Sequence, residues 1–285
     1  MDRFSVFVPR LLAKREGFSS GFHSCPGCGQ ALNTRLICKA LESKGRYISR
    51  VGNVGVYTSY LPYENWQFPG SKRKKIEELS LDNDERIIAI GGDLGSIEMG
   101  MELFSKALFE KVPLIYICFL NEAGIERRPN TPFTSYAPHQ PKSIYDRLSQ
   151  VQDTIDRIMR IRPPFFATIN PGYPFDFIEK IKRARALSCP SIFIAFSPCP
   201  TGCMYDPSMS LQAAKLAVKT GLFPLFYAVN GESKMTVNII QRAKIEQYLR
   251  LYPEAKELST LEFKELQREV DKRYVRFTEK LSFYR

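Results

Sequence analysis

The chain has 285 residues, 44% of them hydrophobic and 25% charged, which is enough to bury one large core. No apolar run approaches the roughly 20 residues that a membrane-spanning helix requires. The first residues also lack the apolar stretch and cleavage site of a secretory signal. We therefore expect a cytoplasmic protein that is not embedded in a membrane.

The chain is basic, with 41 lysines and arginines against 30 acidic residues and a formal net charge of +11. This charge is compatible with nucleic acid, a membrane surface or an acidic protein partner, and it does not choose among them. Part of the excess lies in residues 72–75, which we expect to be solvated surface. Seven cysteines in a chain without an export signal indicate thiols or metal ligands rather than a disulfide framework.

The first predicted unit is a strand, a helix and a second strand. Residues 86–90 form a short β-branched run that two glycines end, as expected of a buried parallel strand. Apolar residues then recur at helical spacing over residues 97–108, and residues 114–120 form the next strand. Such a βαβ unit is almost always right-handed and its strands are parallel.

The same scheme recurs later in the chain. The pattern predicts strands over residues 164–169 and 191–196, with a helix over residues 173–186 between them. A helix over residues 210–220 ends at Gly221, which suits a left-handed cap. The sequence therefore predicts an α/β fold with a mostly parallel sheet and helices on both faces.

The predicted domain organisation is simple. Residues 121–141 are rich in Pro, Asn, Thr and Arg, and we interpret them as a loop from the carboxyl end of a strand, where α/β folds carry function. From residue 244 onward the chain is charged and helical. We predict an N-terminal extension over residues 1–19, one α/β domain over residues 20–240 and a helical tail over residues 241–285.

Two cysteine pairs are candidate metal ligands. Cys25 and Cys28 lie on a tight Pro-Gly turn, where both sulfurs can face one soft metal centre, either zinc or an iron–sulfur cluster. Cys199 and Cys203 lie in a second Pro/Gly turn after a strand and are the natural source of two further ligands. The structural alternative for Cys25 and Cys28 is an ordinary turn. We expect the other three cysteines, Cys38, Cys118 and Cys189, to be small buried hydrophobic residues.

A second candidate site combines two strand ends. Glycines around Asp93 let the backbone approach a diphosphate, and the helix N-terminus that follows favours an anion. Asp93 is then suited to hold Mg²⁺, although such a turn is more often only a turn. Asn121 and Ala123 follow the neighbouring strand, so they lie at the same edge of the sheet and can supply further oxygen ligands.

These motifs carry a resemblance to a known family. The Cys-Pro-Gly-Cys-Gly segment at residues 25–29, Asp93 paired with the Asn-Glu-Ala segment at residues 121–123, and the Ser-Pro-Cys-Pro-Thr-Gly segment at residues 197–202 occur in one order. In this order and spacing the chain resembles the β subunits of the 2-oxoacid:ferredoxin oxidoreductases, in their pyruvate-type branch. The resemblance covers about residues 20–275.

The resemblance implies a thiamine-diphosphate-binding fold with Mg²⁺ and a [4Fe–4S] cluster. It implies oxidative decarboxylation of a pyruvate-like 2-oxoacid, with electrons passed to the cluster and then to an acidic ferredoxin, and coenzyme A as the usual acyl acceptor. Other subunits of the complex, of α, γ and δ type, are the implied partners, and one of them supplies the activating glutamate.

The family motifs also imply individual site residues. The Mg²⁺ ligands would be Asp93, Asn121 and the Ala123 carbonyl, and the cluster ligands Cys25, Cys28 and Cys199, with Cys203 as a substitute fourth. The cofactor-binding residues would be Gly29, Gly92, Asp93, Gly95, Ser96, Asn121, Ala123 and Ile125.

The chain departs from the family at several of these positions. Val56 stands where the family has its remaining cluster cysteine, and Cys203 stands where the family usually has tryptophan. Leu94 replaces the second glycine of the Gly-Asp-Gly signature and adds bulk beside the expected phosphate. The Asn-Thr-Gly segment that holds the diphosphate is missing after residue 123, and Arg127 and Arg128 are candidate replacements for its phosphate contacts.

Two functional classes remain open, and a third is disfavoured. The chain is either an active cofactor-binding subunit or a non-catalytic paralogue that keeps the fold as a structural or regulatory subunit. A zinc-stabilised, basic nucleic-acid-binding protein would use the charge and the cysteines but leaves the Asp93 and Asn121 spacing unexplained. We therefore expect no nucleic acid partner.

Overall fold

The computed structural model describes residues 24–41, 47–51, 66–67, 87–92, 104–123 and 144–282. These residues contain eight strands: β1 (Tyr47–Val51), β2 (Trp66–Gln67), β3 (Ile87–Gly92), β4 (Leu114–Asn121), β5 (Phe165–Ile169), β6 (Ser191–Ser197), β7 (Phe226–Val229) and β8 (Glu232–Met235). The helices in the same part of the chain are α1 (Gly29–Leu41), α2 (Ile144–Ile161), α3 (Pro174–Leu187), α4 (Pro200–Cys203), α5 (Ser210–Lys219), α6 (Ile245–Leu249) and α7 (Thr260–Ser282).

All eight strands join in one sheet, in the order β2-β1-β3-β4-β6-β5-β7-β8. The six strands from β2 to β5 in this order are mutually parallel, whereas β7 and β8 are antiparallel to their neighbours. The predicted parallel pairs β3 with β4 and β5 with β6 are both present. The prediction of an α/β fold with a mostly parallel sheet is therefore confirmed.

The sheet is buried on both faces, as parallel sheets require. On β4, Tyr116 and Cys118 belong to one hydrophobic cluster, whereas the alternating Ile117 and Phe119 belong to the other. Cys38 and Cys118 are buried in these clusters as expected, whereas Cys189 is partly exposed.

Helices cover each face of the sheet. On one face α1 and α3 bury apolar side chains such as Ile37 and Phe177. On the other face lie α2, α5, α6 and α7, which contribute Ile155, Ala217 and Leu266 to the second cluster. Helices on both faces were predicted and are observed.

The later predicted helices agree with the structure within a residue or two. The helix predicted over residues 173–186 is Pro174–Leu187, and the one over residues 210–220 is Ser210–Lys219. Gly221 follows with a φ of +81°, which is the predicted left-handed end. One local prediction is wrong: the segment before Cys203 is the short helix α4 and not a turn.

The C-terminal segment contributes to the core. Residues 245–249 and 260–282 are helical, as predicted, and their buried side chains, including Leu249 and Phe277, belong to the same cluster as the sheet residue Phe196. Ser259 and Glu262 form reciprocal side-chain to backbone bonds at the start of α7, which is the capping-box arrangement. The predicted domain boundaries themselves stay predictions.

The central strand β6 offers a test of the core. Phe193 is fully buried between β6 and the α1–α3 layer, so Phe193→Ala removes its contacts and leaves a cavity. We expect this substitution to lower the free energy of unfolding by about 3–5 kcal/mol, measured by urea denaturation. The control is Phe109→Ala, whose side chain is 89% exposed and whose loss should change stability by about 0.5 kcal/mol or less. Equal effects would contradict the assignment of Phe193 to the core.

Candidate cofactor site

Three strand ends meet at the carboxyl edge of the sheet. β3, β4 and β6 are parallel neighbours, and their register pairs Gly92 with Phe119 and Asn121 with Ser197. The turn at residues 121–123 therefore lies beside the loop that follows β6, and the Glu122 amide donates to the Ser197 carbonyl at 3.0 Å. Ligands of α/β proteins bind outside this edge of the sheet.

Helix α1 begins directly on the loop after β6. The Gly29 amide donates to the Pro198 carbonyl at 2.8 Å. A Cβ atom at Gly29 would lie 2.3 Å from the Pro198 nitrogen, so only glycine permits this approach. The loop and the residues before α1, which include Cys25 and Cys28, are thereby brought together at one edge.

Cys25, Cys28 and Cys199 lie near one another at this edge. Cys28 donates its amide to the Cys25 carbonyl at 3.1 Å, which closes the turn predicted from the sequence. The thiols of Cys25 and Cys28 are close enough to Cys199 to act on its ionisation, but desolvation is the main cause that raises the pKa of Cys199 to about 12. In the part of the chain that the structure describes, no three His, Cys, Asp or Glu side chains are grouped closely enough to hold a metal ion.

Cys203 has different surroundings from these three cysteines. It lies at the end of α4, is 2% exposed, and belongs to the hydrophobic cluster that also contains Tyr205, Tyr248 and Tyr252. The Cys203 thiol acts electrostatically on those three tyrosines. Its role as a substitute cluster ligand stays a prediction.

Asn121 and Ala123 lie in the turn that ends β4. The Asn121 Oδ1 atom accepts a hydrogen bond from the Ala123 amide at 3.0 Å, which fixes the side chain over the turn. A side-chain carbonyl oxygen has two lone pairs, so one hydrogen bond does not exhaust its capacity. Both residues lie where the spacing of the motifs predicts them.

Several predicted site residues fall outside the described residues. These are Asp93, Gly95, Ser96 and Ile125, together with the departing positions Val56, Leu94, Arg127 and Arg128. Gly92, the last residue of β3, is described and ends at the carboxyl edge. The roles assigned to all of these residues stay predictions.

Glu122 has the densest hydrogen bonding at this edge. Its Oε2 atom accepts from the Cys199 amide at 2.9 Å and from the Tyr205 hydroxyl at 2.6 Å. Its Oε1 atom accepts from the hydroxyls of Tyr248 at 2.5 Å and Tyr252 at 2.6 Å, and these two hydroxyls are 2.6 Å apart. The carboxyl group is therefore buried among four donors.

The pKa values of the three tyrosine hydroxyls favour their role as hydrogen-bond donors. Burial, together with the negative charge of Glu122, raises the pKa of Tyr205, Tyr248 and Tyr252 above the ordinary value of a tyrosine. The hydroxyls therefore keep their protons throughout the neutral range. Sequence reasoning did not find this cluster, because the three tyrosines lie 83 to 130 residues from Glu122 along the chain.

Asn33 is another residue that sequence reasoning missed. It lies on α1, is fully buried, and its Nδ2 atom donates to the Phe196 carbonyl and to the Ser197 hydroxyl, each at 2.9 Å. The Asn33 Oδ1 atom is buried and has no hydrogen-bond partner within the described structure. Gln30 and Thr34 are also buried on α1, so Asn33 did not stand out in the sequence as a single polar residue on an apolar face.

Comparison with known proteins gives the family. The chain is 30% identical over 292 residues to ketoisovalerate oxidoreductase subunit VorB of Pyrococcus furiosus, covering 92% of this chain and 94% of that protein. It is 28% identical over 287 residues to pyruvate synthase subunit PorB of Methanocaldococcus jannaschii, covering 91% of this chain and 96% of that protein. No protein-family model matches the chain.

A solved structure is also similar, at lower identity. It is a 2-oxoglutarate:ferredoxin oxidoreductase from Magnetococcus marinus with 2-oxoglutarate, coenzyme A and succinyl-CoA bound. The similarity has a TM-score of 0.43 and 16% identity, and it covers 67% of this chain and 70% of that chain.

The fold is that of an α/β protein with a mostly parallel sheet. The chain belongs to the family of β subunits of the 2-oxoacid:ferredoxin oxidoreductases, whose named relatives are oxidoreductase subunits. The resemblance drawn from the motifs is thereby confirmed. Among the described helices, none is long and apolar enough to cross a membrane.

The raised pKa values of the tyrosines around Glu122 predict how the folding stability changes at alkaline pH. Their pKa values are higher in the folded chain than the value of about 10 in an unfolded chain. Unfolding therefore releases protons at high pH, and folding stability falls as the pH rises above about 10. Tyr248→Phe removes one of these groups and should lessen the fall by up to about 1.4 kcal/mol per pH unit.

Urea denaturation between pH 8 and pH 11 would measure this difference in slope. Tyr227→Phe is the control, because Tyr227 packs against the opposite face of the sheet. Equal slopes for wild type and Tyr248→Phe would contradict the burial of the Tyr248 hydroxyl beside Glu122.

Proposed function

We propose that the chain is the thiamine-diphosphate-binding subunit of a 2-oxoacid:ferredoxin oxidoreductase and takes part in the oxidative decarboxylation of a 2-oxoacid. The observation that carries the proposal is the meeting of the ends of β3, β4 and β6 at one edge. That edge gathers the oxygen donors of the turn at residues 121–123 and three cysteine thiols. The proposed cation site and the proposed redox site would then be neighbours, as coupled decarboxylation and electron transfer require.

The donors at the turn suit Mg²⁺ and a diphosphate. Asn121 Oδ1 and the Ala123 carbonyl are neutral oxygen donors, and Asp93, which directly follows β3, would add a carboxylate. Mg²⁺ prefers oxygen ligands of this kind, and these residues would hold it beside the phosphates of the cofactor. When bound, thiamine diphosphate supplies the electron sink that permits loss of carbon dioxide from the 2-oxoacid. The chain's own residues would bind and orient the cofactor.

The cysteines suit an iron–sulfur cluster. Thiolates are the ligands of [4Fe–4S] clusters, and Cys25, Cys28 and Cys199 would supply three of the four. Cys203 is the proposed substitute for the fourth ligand. Because desolvation raises the pKa of the Cys199 thiol, iron binding must release its proton.

The substrate and the partners are proposed by class. The relatives are named for pyruvate and for ketoisovalerate, so we propose a short 2-oxoacid of the pyruvate type. The other subunits of a multi-subunit complex, coenzyme A as acyl acceptor and a ferredoxin as electron acceptor complete the proposal. The formal net charge of +11 favours an acidic electron acceptor.

A second candidate is a non-catalytic paralogue that keeps the fold as a structural or regulatory subunit. Two sequence features favour it: Val56 in place of a cluster cysteine and Leu94 in place of a glycine near the expected phosphate. The two experiments below separate these candidates.

Binding of thiamine diphosphate is tested by thermal unfolding of the protein in its purified complex. Ligand at a hundredfold excess over its Kd stabilises a protein by about 2.7 kcal/mol, which raises Tm by about 5–10 °C for a chain of this size. We expect this rise with Mg²⁺ and thiamine diphosphate, and its loss in Asn121→Ala. Asn238→Ala, at an exposed position after β8, is the control. No rise in the wild-type complex would favour the non-catalytic paralogue.

Cluster binding is tested by visible absorption of anaerobically purified complex. We expect a broad brown absorption that is lost in Cys25→Ser and in Cys28→Ser, and retained in Cys189→Ser, because Cys189 precedes β6 at the opposite edge of the sheet. Cys203→Ser reports on the fourth ligand in the same way. A colourless wild-type preparation without iron would contradict the cluster.

A further inference from the structure

The Glu122 carboxylate joins segments that are distant along the chain. It lies in the turn after β4 and accepts hydrogen bonds from the Cys199 amide, 77 residues away, and from the Tyr205 hydroxyl, 83 residues away. It also accepts from Tyr248 and Tyr252, which are 126 and 130 residues away. One side chain thus contacts the loop after β6, the segment after α4 and the region of α6.

The burial of this carboxylate makes its contacts mutually dependent. A carboxyl group removed from water requires donors to replace its hydration, and here both oxygens are already shared by two donors each. Moving any one of the segments would leave a buried oxygen with fewer donors. The segments are therefore held in one arrangement.

Glu122 lies between two groups that the proposed function assigns to different cofactors. Its chain neighbours Asn121 and Ala123 are the proposed cation ligands, and its Oε2 atom accepts from the amide of Cys199, a proposed cluster ligand. We infer that Glu122 is a positioning residue, which fixes the Cys199 loop relative to the turn at residues 121–123 and so fixes the separation of the two cofactors. This inference rests on the proposed function.

Backbone hydrogen bonds hold the Cys199 segment in part, since the Gly29 amide donates to the Pro198 carbonyl and the Cys203 amide donates to the Cys199 carbonyl, but the Cys199 amide itself donates to a side chain. The hydrogen bond from the Glu122 amide to the Ser197 carbonyl and the pairing of Asn121 with Ser197 hold the ends of the strands together. Cys199 lies two residues beyond β6, and its amide is fixed on the turn by the Glu122 side chain. We therefore expect that substitution of the Glu122 side chain changes the position of Cys199 without preventing formation of the sheet.

The test begins with Glu122→Gln in the full chain, purified in its complex. A glutamine presents N–H donors where the carboxylate presents only an oxygen acceptor, so it cannot accept from all four donors. We expect hydrogen exchange to become at least tenfold faster at the Cys199 amide and faster in the segment around Tyr248. Peptides from α5 should exchange unchanged. Glu257→Gln, at an exposed position in the segment after α6, is the control.

The second measurement separates positioning from a merely structural role. We expect Glu122→Gln to alter the electron paramagnetic resonance spectrum of the dithionite-reduced complex, because the Cys199 ligand shifts relative to the cluster. Faster exchange with an unchanged spectrum would mean that Glu122 only supports the fold, and would overturn the inference. Unchanged exchange at Cys199 would overturn it as well.

A pair of tyrosine variants keeps the test decisive if Glu122→Gln does not fold. Tyr205 shares Oε2 with the Cys199 amide, whereas Tyr248 binds Oε1. Tyr205→Phe should therefore increase exchange at Cys199 and alter the spectrum, and Tyr248→Phe should affect only the region of α6. Equal effects of the two variants on Cys199, or no effect of Tyr205→Phe, would overturn the inference.

The outcomes also distinguish this inference from the proposed function. A wild-type complex without iron and thiamine diphosphate would overturn the proposed function, and with it the assignment of Glu122 to the separation of two cofactors. A complex that contains both cofactors, with exchange and spectrum unaffected by Glu122→Gln, would overturn the inference alone.

Discussion

The carboxyl edge of the sheet depends on the burial of one carboxylate. A carboxylate removed from water is strongly destabilising unless donors replace its hydration, and Glu122 receives four donors, from the Cys199 amide and from three tyrosyl hydroxyls. Because the donors come from separate segments, the turn after β4, the loop after β6 and the region of α6 must assemble together. The raised pKa values mean that these tyrosines stay protonated, and so remain donors, to a higher pH than exposed tyrosines do.

The same constraint makes the C-terminal segment part of the site. Tyr248 and Tyr252 reach Glu122 from the region of α6, and α7 then returns along α2. The ion pair of Lys280 with Asp156 joins α7 to α2 at the surface, where such pairs contribute little. The buried apolar side chains of α7, such as Phe277, therefore provide most of the attachment. A segment that sequence patterns present as a charged tail is thus packed into the core behind the candidate site.

The parts of the fold that were predictable are those with local signals. The runs that became β4 and β6 are continuously apolar and bounded by loops, so their assignment as buried strands followed from composition alone. Helix α2 was missed although its apolar residues recur at helical spacing, and the β7–β8 hairpin was missed although Asn230 and Gly231 form a turn with positive φ. The cluster around Glu122 has no such local signal in the sequence. The partners of Glu122 lie 77 to 130 residues away, so no local pattern could reveal the cluster.

Some residues of the candidate site are explained by the fold alone, whereas others favour cofactor binding. Asn121 has a structural reason to be an asparagine, because its side chain closes the turn after β4, and Gly29 has one in the close approach of α1 to Pro198. Both residues therefore have a structural reason to be present in a paralogue without activity. Cys25 and Cys28 are only partly buried, and Cys28 packs against the edge of the hydrophobic core, so packing gives a reason for Cys28 but little reason for Cys25. Because a partly exposed Cys-Pro-Gly-Cys turn beside Cys199 has a chemical use as a ligand group, Cys25 is the residue of the site that most favours cofactor binding over retention of the fold alone.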